Sequence, residues 1–107
     1  MNLNPNPAAN SNRNFKLIMA ARSGDLKAVT QLKEQYWDVI FYIILKMVNN
    51  RDDAESLTAE AFEKAFSNLM QYNTEFPFSR WLYRIASNSA IAHLQKRIAS
   101  YPYPECQ

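Results

Sequence analysis

Only one glycine, one cysteine and one histidine occur in 107 residues, and each scarcity removes a class of protein. With Gly24 alone there is no glycine-rich loop to cradle a phosphate, and turn-rich β architecture is disfavoured. Cys106 can form no internal disulfide and no cysteine-based metal cluster, which fits a reducing cytoplasm and leaves Cys106 an ordinary free thiol. His93 has no Cys or second His at a ligand spacing, so no metal site is expected, and the ring is expected to face solvent or a phosphate. No nucleophile stands at a recognisable spacing from a base, so neither an enzyme nor a cofactor is expected. Long apolar runs are also missing. The most apolar stretch, Tyr36 to Val48, is thirteen residues interrupted by Asp38 and Lys46, and about 30 Å of hydrocarbon needs more. Met1 to Asn14 is Asn-rich and without the apolar run of a signal peptide, so residues 1–13 are expected to be a disordered tail rather than an export signal.

What remains is helical in character. Apolar residues make up 48% of the chain, and 107 residues bury roughly 60 to 68% of their unfolded surface, enough for one small core without staples. The periodicity predicts an all-α fold, a compact bundle of about four helices over residues 14–99, followed by a linker or tail at 100–107. The first helix covers about Asn14 to Ser23, with Phe15, Ile18, Met19 and Arg22 at three-to-four spacing and Gly24 ending it. Asp25 caps a second helix, Leu26 to about Asn49, whose stripe is Val29, Leu32, Tyr36, Val39 and Ile43. A third starts at Asp52 in a capping box with Glu55 and runs to Tyr72, with Ala54, Leu57, Ala61, Ala65 and Leu69 inward and Phe62, Phe66 and Met70 widening the stripe. After the loop Asn73-Thr74-Glu75, Pro77 suits the first turn of a fourth helix reaching Ala99. Leu82, Ile85, Ala86, Ser89 and Ala92 face its core side. Tyr101-Pro102-Tyr103-Pro104 cannot continue a helix and is expected to be extended.

Charge is divided along this scaffold. Asp52 to Glu63 carries five acids and no base, whereas Arg80 to Arg97 carries four bases and no acid. The net charge of +2 hides the division, which suggests two different partners. Arg80 and Arg84 lie one turn apart with Lys96 and Arg97 further along, so a phosphate backbone could be followed; the alternative is a solvated face whose last cations complement the helix dipole. Ser87 and Asn88 are short polar side chains able to reach base edges, or ordinary surface polarity. Tyr72, Asn73, Phe76 and Phe78 flank the loop, where aromatic rings beside cations suit an unstacked base; Phe78 is the one better placed to plug the core, and Trp81 is either packing or a wedge. Asp53, Ser56, Glu60 and Glu63 present an acidic, polar face to a basic partner helix, or simply to water.

The run Phe78-Ser79-Arg80-Trp81-Leu82-Tyr83-Arg84-Ile85-Ala86-Ser87-Asn88 resembles a signature of region 2 of the bacterial RNA polymerase sigma factors, in the extracytoplasmic-function (ECF) group. Asp53-Ala54-Glu55-Ser56-Leu57-Thr58-Ala59-Glu60-Ala61-Phe62 resembles a second run of that family, with Ser56 and Ala59 where the family usually has Asp and Gln. Ala21 to Asp25 sits where the group has a Gly-Asp helix junction, and the likeness covers roughly residues 15–97. It implies a transcription initiation factor domain. The third helix would dock on the β′ coiled coil of core RNA polymerase through Asp53, Ser56, Ala59, Glu60 and Glu63. The loop and fourth helix would recognise and melt the promoter −10 element, holding its non-template strand through Tyr72, Asn73, Phe76, Arg80, Trp81, Arg84, Ser87, Asn88, Lys96 and Arg97. The resemblance also implies an anti-sigma factor as antagonist, and a −35-binding domain absent from this chain, as in an excised domain. A helical protein-interaction module that keeps the fold without promoter recognition is the second reading.

Overall fold

A computed structural model describes the chain over residues 7–100, with side chains placed over 14–98. Four helices follow one another: α1 (Pro7–Arg22), α2 (Leu26–Val48), α3 (Arg51–Ser67) and α4 (Phe78–Ser100), with a 3₁₀ turn, Leu69–Gln71, between the last two. No strand occurs among the described residues. The expected Pro-rich extended tail and Cys106 lie outside them, as do residues 1–6 of the expected N-terminal tail.

Local chemistry sets the helix boundaries. Gly24 takes φ +98, the left-handed conformation that stops α1, and the Asp25 carboxylate accepts from the amides of Lys27 and Ala28 to open α2. α2 stops at Asn49, which adopts φ 56, and the next residue, Asn50, opens α3 by accepting from the Asp53 amide at 2.9 Å. The cap is therefore Asn50 rather than the expected Asp52, because its carboxamide oxygen reaches the third amide of the helix; Asp52 and Asp53 lie in the first turn, favoured by the helix dipole. α1 also starts earlier than expected, at Pro7, a residue whose fixed φ suits a first helical position. α3 ends at Ser67, short of Tyr72. There the Asn68 side chain and amide both turn back to the Lys64 carbonyl, and the chain tightens into the 3₁₀ turn, leaving Met70 74% exposed rather than on the inner stripe.

α2 packs against each of the other three helices, and α3 also packs on α4. Its buried row is Ala28, Leu32, Ile40, Ile44 and Val48; of the expected stripe Leu32 is fully buried, Val29, Tyr36 and Ile43 are half-buried, and Val39 is exposed. Steps of four residues overshoot a turn by about 40° each, so this row winds around α2 and presents side chains to three neighbours. On α1 the inward residues are Asn14, Ile18 and Ala21, while Phe15 and Met19 face outward. On α4 Leu82, Ala86, Ser89 and Ala90 are buried, and Ala92 is exposed. The inner stripe of α3 is as expected: Ala54, Leu57, Ala61, Ala65 and the following Leu69 are all buried. Phe62 is sandwiched between Trp37 (centroids 5.5 Å, 10°) and Phe66 (6.2 Å, 15°). Asn14, though buried, is satisfied across helices: its amide donates to the Tyr36 hydroxyl at 2.6 Å and its oxygen accepts from Gln35 at 3.0 Å.

Candidate nucleic-acid interface

Between the 3₁₀ turn and the first two turns of α4, Tyr72, Asn73, Phe76, Arg80, Trp81 and Arg84 line a cavity of about 180 Å³. Six of the ten residues expected to hold nucleic acid thus meet in one place, although three of them come from the loop and its borders and three from the first two turns of the helix. The loop itself is held by short-range bonds: the Asn73 side chain accepts from the Glu75 amide at 2.9 Å, and the Asn73 carbonyl accepts from the Phe76 amide at 3.1 Å. Phe76 is 51% exposed and carries the Arg80 guanidinium 5.9 Å above its ring, so an apolar face and a positive charge share the rim. Arg84 and Asn88 are exposed one and two turns further on, and Ser87 is half-buried beside them. Neither Arg80 nor Arg84 is in an ion pair with a described residue.

Tyr72 does something other than stack on a base. Its ring is buried, packed edge-on against Phe78 (5.3 Å, 85°) and tilted on Trp81 (5.3 Å, 45°), and its hydroxyl donates to the Phe76 carbonyl. It is the floor of the cavity, because burying the ring while bonding the hydroxyl stabilises both ends of the side chain. Burial raises its phenol above the ordinary value, with Arg22 pulling in the opposite direction; burial also raises Tyr36, and Tyr83 and Tyr72 add to that. Phe78 is buried as a core plug, and half-buried Trp81 packs between it and the cavity. Lys96 and Arg97 are exposed on the last turns of α4, about 18 Å along the axis from Arg84, so they belong to the same helix but not to the cavity.

The acidic face lies on α3. Ser56, Ala59, Glu60 and Glu63 are exposed together, with Glu60 in a pair with Lys64 (3.3 Å) on its own helix. Asp53 is half-buried and meets His93 of α4 at 3.2 Å, which overturns the expectation that His93 faces solvent or phosphate. Lys64 also donates to the Ser89 hydroxyl at 3.4 Å. Two side-chain links therefore tie the acidic helix to the basic one. Spacing along the sequence could not show them, since the His93–Asp53 pair joins residues forty positions apart. No group of His, Cys, Asp or Glu able to hold a metal occurs among the described residues, and no described helix is long and apolar enough to cross a membrane.

Residues 32–98 match the model of the family described as sigma-70 region 2. The chain is 34% identical over 86 residues to the ECF RNA polymerase sigma factor SigW of Bacillus subtilis, covering 80% of this chain and 46% of the relative. It is 34% identical over 82 residues to the RNA polymerase sigma-H factor of Pseudomonas aeruginosa, 77% of this chain and 42% of that protein. The chain thus spans less than half the length of these relatives. Its fold superposes with a TM-score of 0.77 and 29% identity on an engineered region 2 of sigmaE, solved by NMR in complex with GTAAAA, covering 84% of this chain and 94% of the other. With the four-helix order, the cavity beside α4 and these matches in agreement, the chain belongs to the sigma-70 region 2 family, within the ECF sigma factors.

Proposed function

We propose that this chain is the part of a transcription initiation factor that joins core RNA polymerase and captures the −10 element of promoter DNA. One observation carries the reading: an aromatic-floored, arginine-rimmed cavity opens at the start of α4, in a fold similar to one solved with the oligonucleotide GTAAAA. The cavity volume is of the size of a planar heterocycle. In this mechanism, Phe76 offers a stacking face, Asn73 offers edge hydrogen bonds, and Arg80 and Arg84 take phosphates on either side. Asn88, two turns beyond Arg80, is aimed at the duplex that adjoins the opened strand, where an Asn suits adenine. The chain performs no covalent step. It captures a base once the polymerase has exposed it, and stacking at about 1 to 3 kcal/mol per base offsets unstacking. Polymerase engages the other side through Ser56, Ala59, Glu60 and Glu63 against the basic surface of the β′ coiled coil, with Asp53 at its margin. An anti-sigma factor would act by covering either face.

The test has two arms. Labelled single-stranded GTAAAA is titrated with the protein, and affinity-tagged protein is used to retain core polymerase. We expect the oligonucleotide to bind more tightly than a scrambled hexamer and Glu60→Lys to lose polymerase while keeping the oligonucleotide. Equal affinity for both hexamers removes the nucleic-acid reading, and full polymerase retention by Glu60→Lys removes the acidic docking face.

A further inference from the structure

The loop beside the cavity is short, exposed and made of Asn73, Thr74, Glu75 and Phe76, yet a base-reading loop must hold one shape before its ligand arrives. The residues that border it on the N-terminal side form the 3₁₀ turn, and the carbonyls at the end of such a turn keep acceptor capacity that the turn itself does not fill. Those carbonyls are met from elsewhere in the molecule. Arg22, in the last turn of α1, donates through Nε to the Leu69 carbonyl at 3.1 Å and through Nη2 to the Tyr72 carbonyl, with its guanidinium 5.9 Å above the Tyr72 ring. The Leu69 carbonyl accepts from the Tyr72 amide as well, at 3.2 Å. Tyr72 in turn donates its hydroxyl to the Phe76 carbonyl, across the loop. A continuous path of hydrogen bonds therefore runs from α1, through Tyr72, to the residue that forms the exposed rim of the cavity.

We infer that Arg22 is a positioning residue for base selection: its planar fork fixes Tyr72, and Tyr72 fixes the Asn73–Phe76 loop in the shape that decides which base the cavity accepts. This rests on the nucleic-acid reading above and adds a residue remote from the ligand. Arg22 lines no part of the cavity, so it acts through the two carbonyls and not by contact. Two features make the fork specific. Two acceptors at different points of the turn need two N–H vectors held in one plane, which a lysine ammonium does not supply. A cation beside carbonyls at the end of a helical turn is also favoured by their aligned dipoles. Gly24 contributes indirectly, since its left-handed backbone ends α1 two residues after Arg22 and keeps that arginine in a final turn facing the loop.

The experiment compares the parent with Arg22→Lys, which keeps the charge and loses the fork, and with Tyr72→Phe, which keeps the packed ring and loses the bond to Phe76. Each is titrated with GTAAAA and its single-base variants, while amide hydrogen exchange is followed at Glu75 and Phe76. We expect both variants to keep their helical circular dichroism and to exchange those two amides faster. Discrimination between the best and worst hexamers should fall by up to roughly tenfold, the scale of one hydrogen bond, with the salt dependence of binding unchanged. A variant that is only less stable would lose melting temperature but keep the same ranking of hexamers. Unchanged discrimination in Arg22→Lys overturns the inference, and if that variant does not fold, unchanged discrimination in Tyr72→Phe does so. If the parent itself prefers no hexamer, it is the nucleic-acid reading that fails, a result distinct from either.

Discussion

If Arg80 and Arg84 hold phosphates, their removal must change how binding responds to salt as well as how tight it is. The two side chains are four residues apart on α4, about 6 Å along the axis, close to two stacked nucleotide steps of about 3.4 Å, so they can neutralise two phosphates of one strand. For single strands each neutralised phosphate contributes about 0.7 to the slope of log affinity against log salt, so two contribute about 1.4. Over a fourfold rise in salt, from about 50 to about 200 mM, that slope is worth about a sevenfold loss of affinity. Replacing both residues with glutamine keeps the aliphatic stems, so the packing of Arg80 on Phe76 is only partly disturbed while the charge is gone. Fluorescence anisotropy with a labelled hexamer should then show a larger weakening at low salt than at high, the two differing by about sevenfold. A loss of the same size at both salt concentrations would refute the reasoning: it would mean that the arginines shape the cavity and leave the phosphates to other groups.

Phe62 is 1% exposed and stacked on two rings, so Phe62→Ala should lower unfolding free energy by about 3 to 5 kcal/mol, with the urea midpoint as readout; a shift under about 1 kcal/mol would contradict the packing described. The phenols of Tyr36 and Tyr72 are raised by burial, so the neutral form is favoured in the folded state. Their contribution to stability is fully present below the unfolded tyrosine value of about 10 and is lost as pH rises through the higher folded values. Unfolding free energy should therefore fall above pH of about 10, and tyrosinate absorbance should show a late-ionising fraction that moves earlier when the protein is unfolded.

Much of this was legible from local pattern. The alanine and leucine stripe of α3 repeats every three or four residues, and its burial follows from periodicity alone. Gly24 and Asp25 marked a junction because each is a residue with one strong local preference. The α2 stripe was partly misplaced for the opposite reason: Tyr36 to Val48 is apolar nearly all round, so periodicity cannot say which row faces inward until the neighbouring helices do. Asn50 was a readable cap, outweighed by the acids that follow it. Asn68, which ends α3, was likewise a local signal, masked by the continuing apolar residues Leu69, Met70 and Tyr72. The cavity was foreshadowed by aromatic and basic residues near one loop, but the burial of Tyr72 was not, since a tyrosine's hydroxyl partner is a matter of tertiary structure. Arg22 and His93 find their partners tens of residues away, and no spacing rule reaches that far.

The corner between α2 and α3 is made by two successive asparagines, one finishing a helix and the other beginning the next, with nothing to spare between them. A residue inserted there would lengthen the corner, because each asparagine could keep its own cap while the two helix ends no longer abutted. The direction in which this molecule holds out its negative side is thus set where the end of one helix meets the start of the next.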